Sequence, residues 1–502
     1  MPTLTRRDAL ALLFAAPAVL HSLPGESAEG ISLFDGTSLR RWRPSGRADD
    51  YRALNDQFRD AFRALNGQLI ARGDHARLFY TGPQGGADFK NFEFSTQVMM
   101  QPGAEAAICF HTTDQPSASH APGFQMLLAN DSRSPDGFIQ RRRTGSLYGV
   151  RHVWKQFVRD NEWFTLNILV RQKQVQVRID NMLVVDYIEP ADAFSVNAEF
   201  DCRIGHGTFA LEARNAHSAT FLSNLRVRPL PDAVPQLSDE RPIVDDVYRD
   251  IIRLGAANIP VVDYHAHLKG GLTLDQALAN SRRVGIGYGI AINCGLSFSV
   301  HDDASVRDYL QSMKGQPCYV AMQAEGREWR TLVSRESVAR FDYVFTDAMT
   351  FTDDNGKRMR IWIPEEIGVI TDKQAFMDML VKRIEGIMRE PIDIYANATY
   401  IPDQIAADYD ALWTPQRMQR VVDAALRNDV AIEINNRRRI PSPTFLKMAK
   451  AAGCKFSFGT NNAEAELGRL EYPIQMVKEC GLVWQDIFVP KPDGQKTIQI
   501  RK

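Results

Sequence analysis

The chain has 502 residues, 44% hydrophobic and 24% charged, which is enough for two domains with cores of their own. Lysine and arginine number 60 against 61 aspartates and glutamates, a formal net charge of -1. That balance gives no electrostatic reason to expect nucleic acid or an anionic membrane as a partner, and a neutral or weakly charged ligand is the more natural one.

Residues 1–30 read as an export signal. In "TRRDALALLFAAPAVL", Arg6 and Arg7 precede an apolar run too short to span a bilayer stably. This looks like a twin-arginine signal, with cleavage expected between Ala18 and Ala28 and a periplasmic or secreted location. No later segment reaches spanning length. The six cysteines, at 109, 202, 294, 318, 454 and 480, show no C-x-x-C spacing, so they read mostly as buried apolar thiols.

Residues 31–230 are punctuated by short alternating runs such as "NFEFSTQVMM" and "WFTLNILVR", separated by Gly, Pro, Asn and Asp clusters. Antiparallel strands at this spacing predict an all-β sandwich. "KQVQVRIDNMLVVDY" predicts a hairpin turning at Asp180-Asn181. Residues 49–65 have helical apolar spacing and read as an inserted helix.

Proline-rich residues 231–242 read as a linker. From 243 to 490 the pattern becomes strand-like apolar runs alternating with helical segments. At least seven such units predict a parallel sheet closed as a (β/α)7-8 barrel, followed by a tail at 491–502.

Barrel chemistry gathers at the C-terminal ends of the strands. Those positions hold Asp263, His265 and His267, then Asn293 and Cys294, Glu325, Asp347, Asn397, Glu433 and Asn435, and Asn461 and Asn462. In "VVDYHAHLKGG", alternation along an extended strand would put Asp263, His265 and His267 on one face as metal ligands. Asn293, Asn397 and Asn435 read as cap or loop residues. The basic runs 141–143 and 437–439 read as solvated loops.

The strand ends resemble the polymerase and histidinol phosphatase (PHP) superfamily across roughly residues 243–490. "HAH" matches its H-x-H, "AEGREW" its segment with an acidic ligand, and "KFSFGTNNAEAELGRLEY" its late strand and loop. This chain departs from the pattern at Asn293-Cys294, Asn397 and Asn461-Asn462-Ala463, where the superfamily usually has His or Asp-x-His. An amide oxygen is a weak neutral ligand, so the resemblance implies one divalent ion (Zn, Mn or Fe) rather than three. Its ligands would come from Asp263, His265, His267, Glu325 and Asp347, with a position left for water.

The first half is similar to the 3-keto-disaccharide hydrolase family, a concanavalin-like jelly roll. The similarity rests on "ISLFDGTSLRRW", "GFQMLLAND", "RTGSLYGV", the Asp180-Asn181 hairpin and "GTFALEARNAHSATFLSNLRVRPL". It implies action on 3-oxo sugars and their glycosides, whose ketone acidifies the neighbouring C–H and permits elimination. That chemistry asks for a base, an enolate stabiliser and hydroxyl contacts. The matching positions are Gln125, Asp131, Tyr148, His152, Glu212 and His217, with Trp42, Tyr148, Trp154 or Trp163 as platforms for a sugar face. The sequence therefore predicts an exported, metal-dependent hydrolase or lyase of (3-keto-)glycosides. Two alternatives stay open: a glycan-binding sandwich on a degenerate barrel, and a metal-dependent phosphoesterase.

Overall fold

A computed structural model describes residues 30–501 apart from 46–60, 75, 84–86, 114–122, 135, 198–201 and 353–356. The export segment and most of the expected inserted helix lie outside the described residues.

Among the described residues, thirteen strands make the first half. They are β1 (Ile31–Ser32), β2 (Trp42–Pro44), β3 (Phe62–Leu65), β4 (Gln68–Ala71), β5 (Ala76–Tyr80), β6 (Phe92–Met100), β7 (Glu105–Thr112), β8 (Phe124–Ala129), β9 (Phe164–Arg171), β10 (Gln174–Ile179), β11 (Met182–Ile188), β12 (Thr208–Ala213) and β13 (Thr220–Pro229). One sheet runs β11-β10-β9-β6-β13-β4-β3 with β1 beside β13, and the other runs β2-β5-β12-β7-β8. Every second residue of β6 and β9 is buried, because alternate side chains of a strand share one face. Phe92, Phe94, Phe110, Phe124 and Phe209 fill the space between the sheets, with the Phe94 and Phe209 rings stacked at 5.0 Å.

Asp180 and Asn181 turn the β10–β11 hairpin with φ of 47° and 69°, the left-handed pair that a two-residue turn requires. Residues 62–65 are strand rather than helix. Asn66-Gly67 is itself a strong hairpin signal, and it pairs β3 to β4 from Leu65↔Gln68 outward, so the turn overrides the helical spacing. The linker has no regular structure of its own. It is strapped to the sandwich, where Asn91 Nδ2 donates to the Pro231 carbonyl and the Leu237 amide to Gln174 Oε1.

The second half closes seven strands into a parallel barrel: β14 (Val262–Ala266), β15 (Gly287–Cys294), β16 (Tyr319–Ala324), β17 (Tyr343–Thr346), β20 (Ile394–Tyr395), β21 (Ala431–Asn435) and β22 (Phe456–Gly459). A two-stranded hairpin, β18 (Thr350–Thr352) with β19 (Arg358–Arg360), follows β17. Helices between the strands carry buried apolar faces, as in Lys373–Ile387 and Pro415–Arg427.

The sandwich plugs the floor of this barrel. Its Trp154 joins Val262, Tyr264, Tyr319, Tyr343 and Phe488 in one buried cluster, and the Tyr319 hydroxyl donates to the Trp154 carbonyl at 2.9 Å. Lys155 Nζ bonds Asp342 at 2.7 Å, and Arg151 donates to the carbonyls of Arg282 and Arg283. Tyr319 and Tyr343 begin their strands, so the seal lies at the N-terminal end and the C-terminal mouth faces away from it. Arg142 and Arg143 are 3% and 8% exposed, not solvated as expected. Arg142 reaches the Ala256 carbonyl and stacks 4.3 Å from the Tyr148 ring, so this basic run is part of the contact between the halves. All six cysteines are buried.

Candidate functional site

At the mouth, the alternation expected of β14 is broken. The β14–β15 register shifts between Asp263 and Ala266, so Tyr264 enters the barrel cluster and His265 still packs inward, 4.5 Å from the Phe345 ring. Asp263 does not share that direction. Its Oδ1 accepts from the amides of His265 (3.0 Å) and Thr460 (2.9 Å), tying β14 to the loop after β22. His265 Nδ1 lies 2.5 Å from Glu433 Oε1, and His267 Nδ1 lies 3.0 Å from the Ala291 carbonyl. Each contact orients its ring and leaves Nε2 buried without a hydrogen-bond partner among the described residues. Gly459 makes room for the pair: a Cβ there would sit 2.2 Å from Glu433 Oε1 and 2.7 Å from His265 Cβ.

The acids at the rim are held by hydrogen bonds of their own. Glu325 Oε1 accepts from Asn293 Nδ2 at 2.8 Å, while Asp347 accepts from the Met349 amide and from Asn397 Nδ2. Burial, reinforced by the Asp347 carboxylate, pushes the Glu325 carboxyl up to about 7. Burial likewise raises Asp347 and lowers the neighbouring Lys269. His267 is driven down by burial and then by His265. Burial disfavours a charged His265, but the adjacent Glu433 outweighs it and its pKa is raised. A neutral His267 keeps a lone pair on Nε2, whereas a protonated His265 carries a hydrogen there. Among the described residues, no three His, Cys, Asp or Glu side chains form a group arranged to hold a cation.

The asparagines are not mere caps. Asn397 Oδ1 accepts from Asn435 Nδ2 and Asn461 Nδ2, and Asn435 also donates to Glu433. Asn462 accepts from the His267 amide and donates to its carbonyl, fixing the loop after β14. Asn397, Thr399, Arg439 and Asn461 all have φ between 49° and 68°. Such backbone costs about 1–3 kcal/mol per non-glycine residue and concentrates at functional sites, Thr399 being the costliest case because it is β-branched.

A second polar cluster lies on the outer face of the five-stranded sheet. Glu212 accepts from Arg77 Nε (3.2 Å) and Arg214 Nε (3.1 Å), and Arg214 also bonds Gln125 and lies 3.9 Å from Glu105. Tyr148 sits between two guanidiniums, 4.3 Å from that of Arg142 and 5.4 Å from that of Arg214. A strand presents alternate residues on one face, so Glu212 and Arg214 point outward while Leu211 and Ala213 join the core.

Residues 29–228 match the model of a family described as the 3-keto-alpha-glucoside-1,2-lyase-like domain. The N-terminal part is thus carbohydrate-enzyme-like by sequence. A "putative glycosyl hydrolase" from Parabacteroides distasonis is similar in structure at 14% identity and TM-score 0.33, over 40% of this chain and 93% of that one. The carbohydrate binding module CBM66 from Bacillus subtilis is similar at 12% identity and TM-score 0.24, over 38% and 95% of the two chains. No curated protein sequence matches the chain.

Of the six sandwich residues expected to act together, Gln125, Tyr148 and Glu212 converge and the other three do not. Asp131 is exposed beside Arg133, and His217 is exposed in the β12–β13 connection. His152 is sealed in the contact with the barrel, accepting from the Gly149 amide, and burial drives its pKa well down. Trp42 and Trp154 are core residues rather than sugar platforms. The reading of the sequence missed Arg77 and Arg214, although Glu-x-Arg in "LEAR" places both charges on one strand face. It placed Glu433 at a strand end but gave it no part with the histidines, although a lone acid in the apolar run "VAIEIN" marked it.

Proposed function

We propose that this protein is an exported hydrolase or lyase of 3-keto-glycosides, with the sugar site on the outer face of the five-stranded sheet. The match of residues 29–228 to the 3-keto-alpha-glucoside-1,2-lyase-like domain carries this reading. In it, Glu212 takes the proton made acidic by the ketone, Arg214 and Arg77 stabilise the enolate oxygen, and Gln125 and Tyr148 contact hydroxyls. Removing Glu212 (Glu212→Gln) is expected to lower turnover of a 3-keto-glucoside by about 100-fold or more. Wild-type turnover in that variant would refute the assignment.

The barrel is read as a PHP-type domain, supported by its closed parallel strands and the two orphaned Nε2 atoms at its mouth. His265 and His267 would hold a single divalent ion, with Glu325 or Asp347 reaching it through water. Such an ion lowers the pKa of bound water or polarises a carbonyl. Elemental analysis of the protein as exported is expected to find stoichiometric Zn, Mn or Fe, lost in His265→Ala. Metal-free native protein would remove the ion from the account. Because the sandwich seals the opposite end of the barrel, the two sites serve separate binding events.

A second reading is favoured by one observation: both oxygens of Glu212 are engaged by guanidiniums. In that case the face binds a glycan without cleaving it, and glycan binding would survive in the absence of any turnover.

A further inference from the structure

Beside the barrel mouth is a cavity of about 560 Å³, within the usual range for small-molecule sites. Arg437, Arg438 and Arg439 line it together with Tyr400, Tyr409 and Tyr472. Arg438 lies 4.2 Å over the Tyr400 ring and Arg439 4.9 Å over that of Tyr472. A guanidinium laid flat on a ring keeps its N–H edge free, and that fork matches the two oxygens of a carboxylate. Arg437 Nη1 donates to the Asn461 carbonyl and Arg439 Nη2 to Gln475 Oε1, both neutral acceptors, and among the described residues Arg438 Nε is buried without a hydrogen-bond partner. A buried guanidinium N–H with nothing to bond is costly, which marks a position where a ligand oxygen would be favourable.

Asp403 and Asp410 line the same cavity. Carboxylates there would repel a compact polyanion but accept hydrogen bonds from hydroxyls. The cavity is also wired to the mouth. Asn435 Oδ1 accepts from the Arg438 amide, while its Nδ2 donates to Asn397 and to Glu433, the partner of His265.

We propose that this cavity is a subsite for an acidic sugar, with Arg438 and Arg437 gripping the carboxylate and Asp403 and Asp410 the hydroxyls. The inference rests on the carbohydrate reading above for the class of ligand, but not on any turnover.

Binding to the full-length protein is measured by calorimetry for a glucuronate-terminated disaccharide, its uncharged glucose counterpart and inorganic sulfate. The wild type is expected to prefer the acidic disaccharide by about tenfold or more, with the preference weakening in salt. Arg438→Gln is expected to abolish the preference. Arg437→Gln, at an exposed position, is expected to reduce it several-fold. Equal binding of the two disaccharides, or a preference that persists in both variants, overturns the subsite. Sulfate binding as tightly as the acidic disaccharide overturns the sugar assignment. Because the comparison is between the wild type and the two arginine variants, sugar bound on the sandwich is common to all three, so failure of the sandwich chemistry and failure of this subsite give different results.

Discussion

His265 Nδ1 and Glu433 Oε1 are 2.5 Å apart, and each side chain is only 2% exposed. The pair joins the first barrel strand to the sixth and sets which nitrogen of His265 faces the mouth. Removing one partner of a buried pair leaves the other uncompensated, so Glu433→Ala is expected to cost about 3–5 kcal/mol in urea unfolding. The pH dependence has two signs. His265 is raised, so its contribution is full below its ordinary 6.5 and is lost as pH rises through the folded value. Glu433, despite the opposing effect of burial, is lowered by His265, so its contribution is full above its ordinary 4.5 and is lost as pH falls. The wild-type advantage over Glu433→Ala should therefore be greatest between about pH 4.5 and 6.5. An advantage that keeps growing toward pH 9 would contradict the pairing.

Gly459→Ala tests the same pair by steric means. The added methyl would fall on Glu433 Oε1 and His265 Cβ, in a site with no room to yield. A loss of about 1–3 kcal/mol is expected, together with loss of any divalent ion held at the proposed site. Unaltered melting temperature and metal content would show that the pair can move aside.

Glu325 has the opposite sign from Glu433. Burial and Asp347 raise its carboxyl to about 7, so a stability cost is absent below its ordinary 4.5, builds as pH rises and is complete above about 7. Glu325→Gln should stabilise the protein at pH 8 by on the order of 1–3 kcal/mol, with the gain fading toward pH 4.5. Melting curves across that range decide it, and a gain independent of pH would argue against a strained carboxylate.

The seal between the halves depends on Gly255. A Cβ there would lie 2.2 Å from Nδ1 of the half-buried His152. Gly255→Ala should lower stability by about 1–3 kcal/mol, and His152→Ala in the same chain should recover much of it. Additive effects in the double mutant would mean that the two residues do not meet.

Arg214 and Arg228 offer a contrast between buried and exposed charge. Arg214 serves Glu212, Glu105 and Gln125 at 10% side-chain exposure, whereas Arg228 and Glu93 pair at 38% and 40%. Arg214→Met is expected to cost about 3–5 kcal/mol and Arg228→Met at most about 1 kcal/mol, read from urea midpoints. Similar losses would show that the face is solvated in solution.

Much of the fold was legible in the chain because it rests on local period. Alternation in β6 and β9, the Asp180-Asn181 turn and the apolar strands of the barrel each act over a few residues. The helical spacing around residues 62–65 misled because Asn66-Gly67 supplied a tighter local instruction. The H-x-H was visible too, but the register shift after Asp263 that lets Tyr264 and His265 both pack inward comes from pairing with β15, about 25 residues away in sequence.

By itself the sequence determined two architectures, an alternating sandwich and a parallel barrel, and put polar residues at the ends of nearly every barrel strand. Only the tertiary structure decided that Glu433 orients the His265 ring, that His152 seals a contact between the halves, and that Arg214 gathers Glu212 with Gln125. Periodicity fixes which face a residue takes, but partners from distant strands are chosen by closure and packing, where a buried charge must find its counterpart or be neutralised.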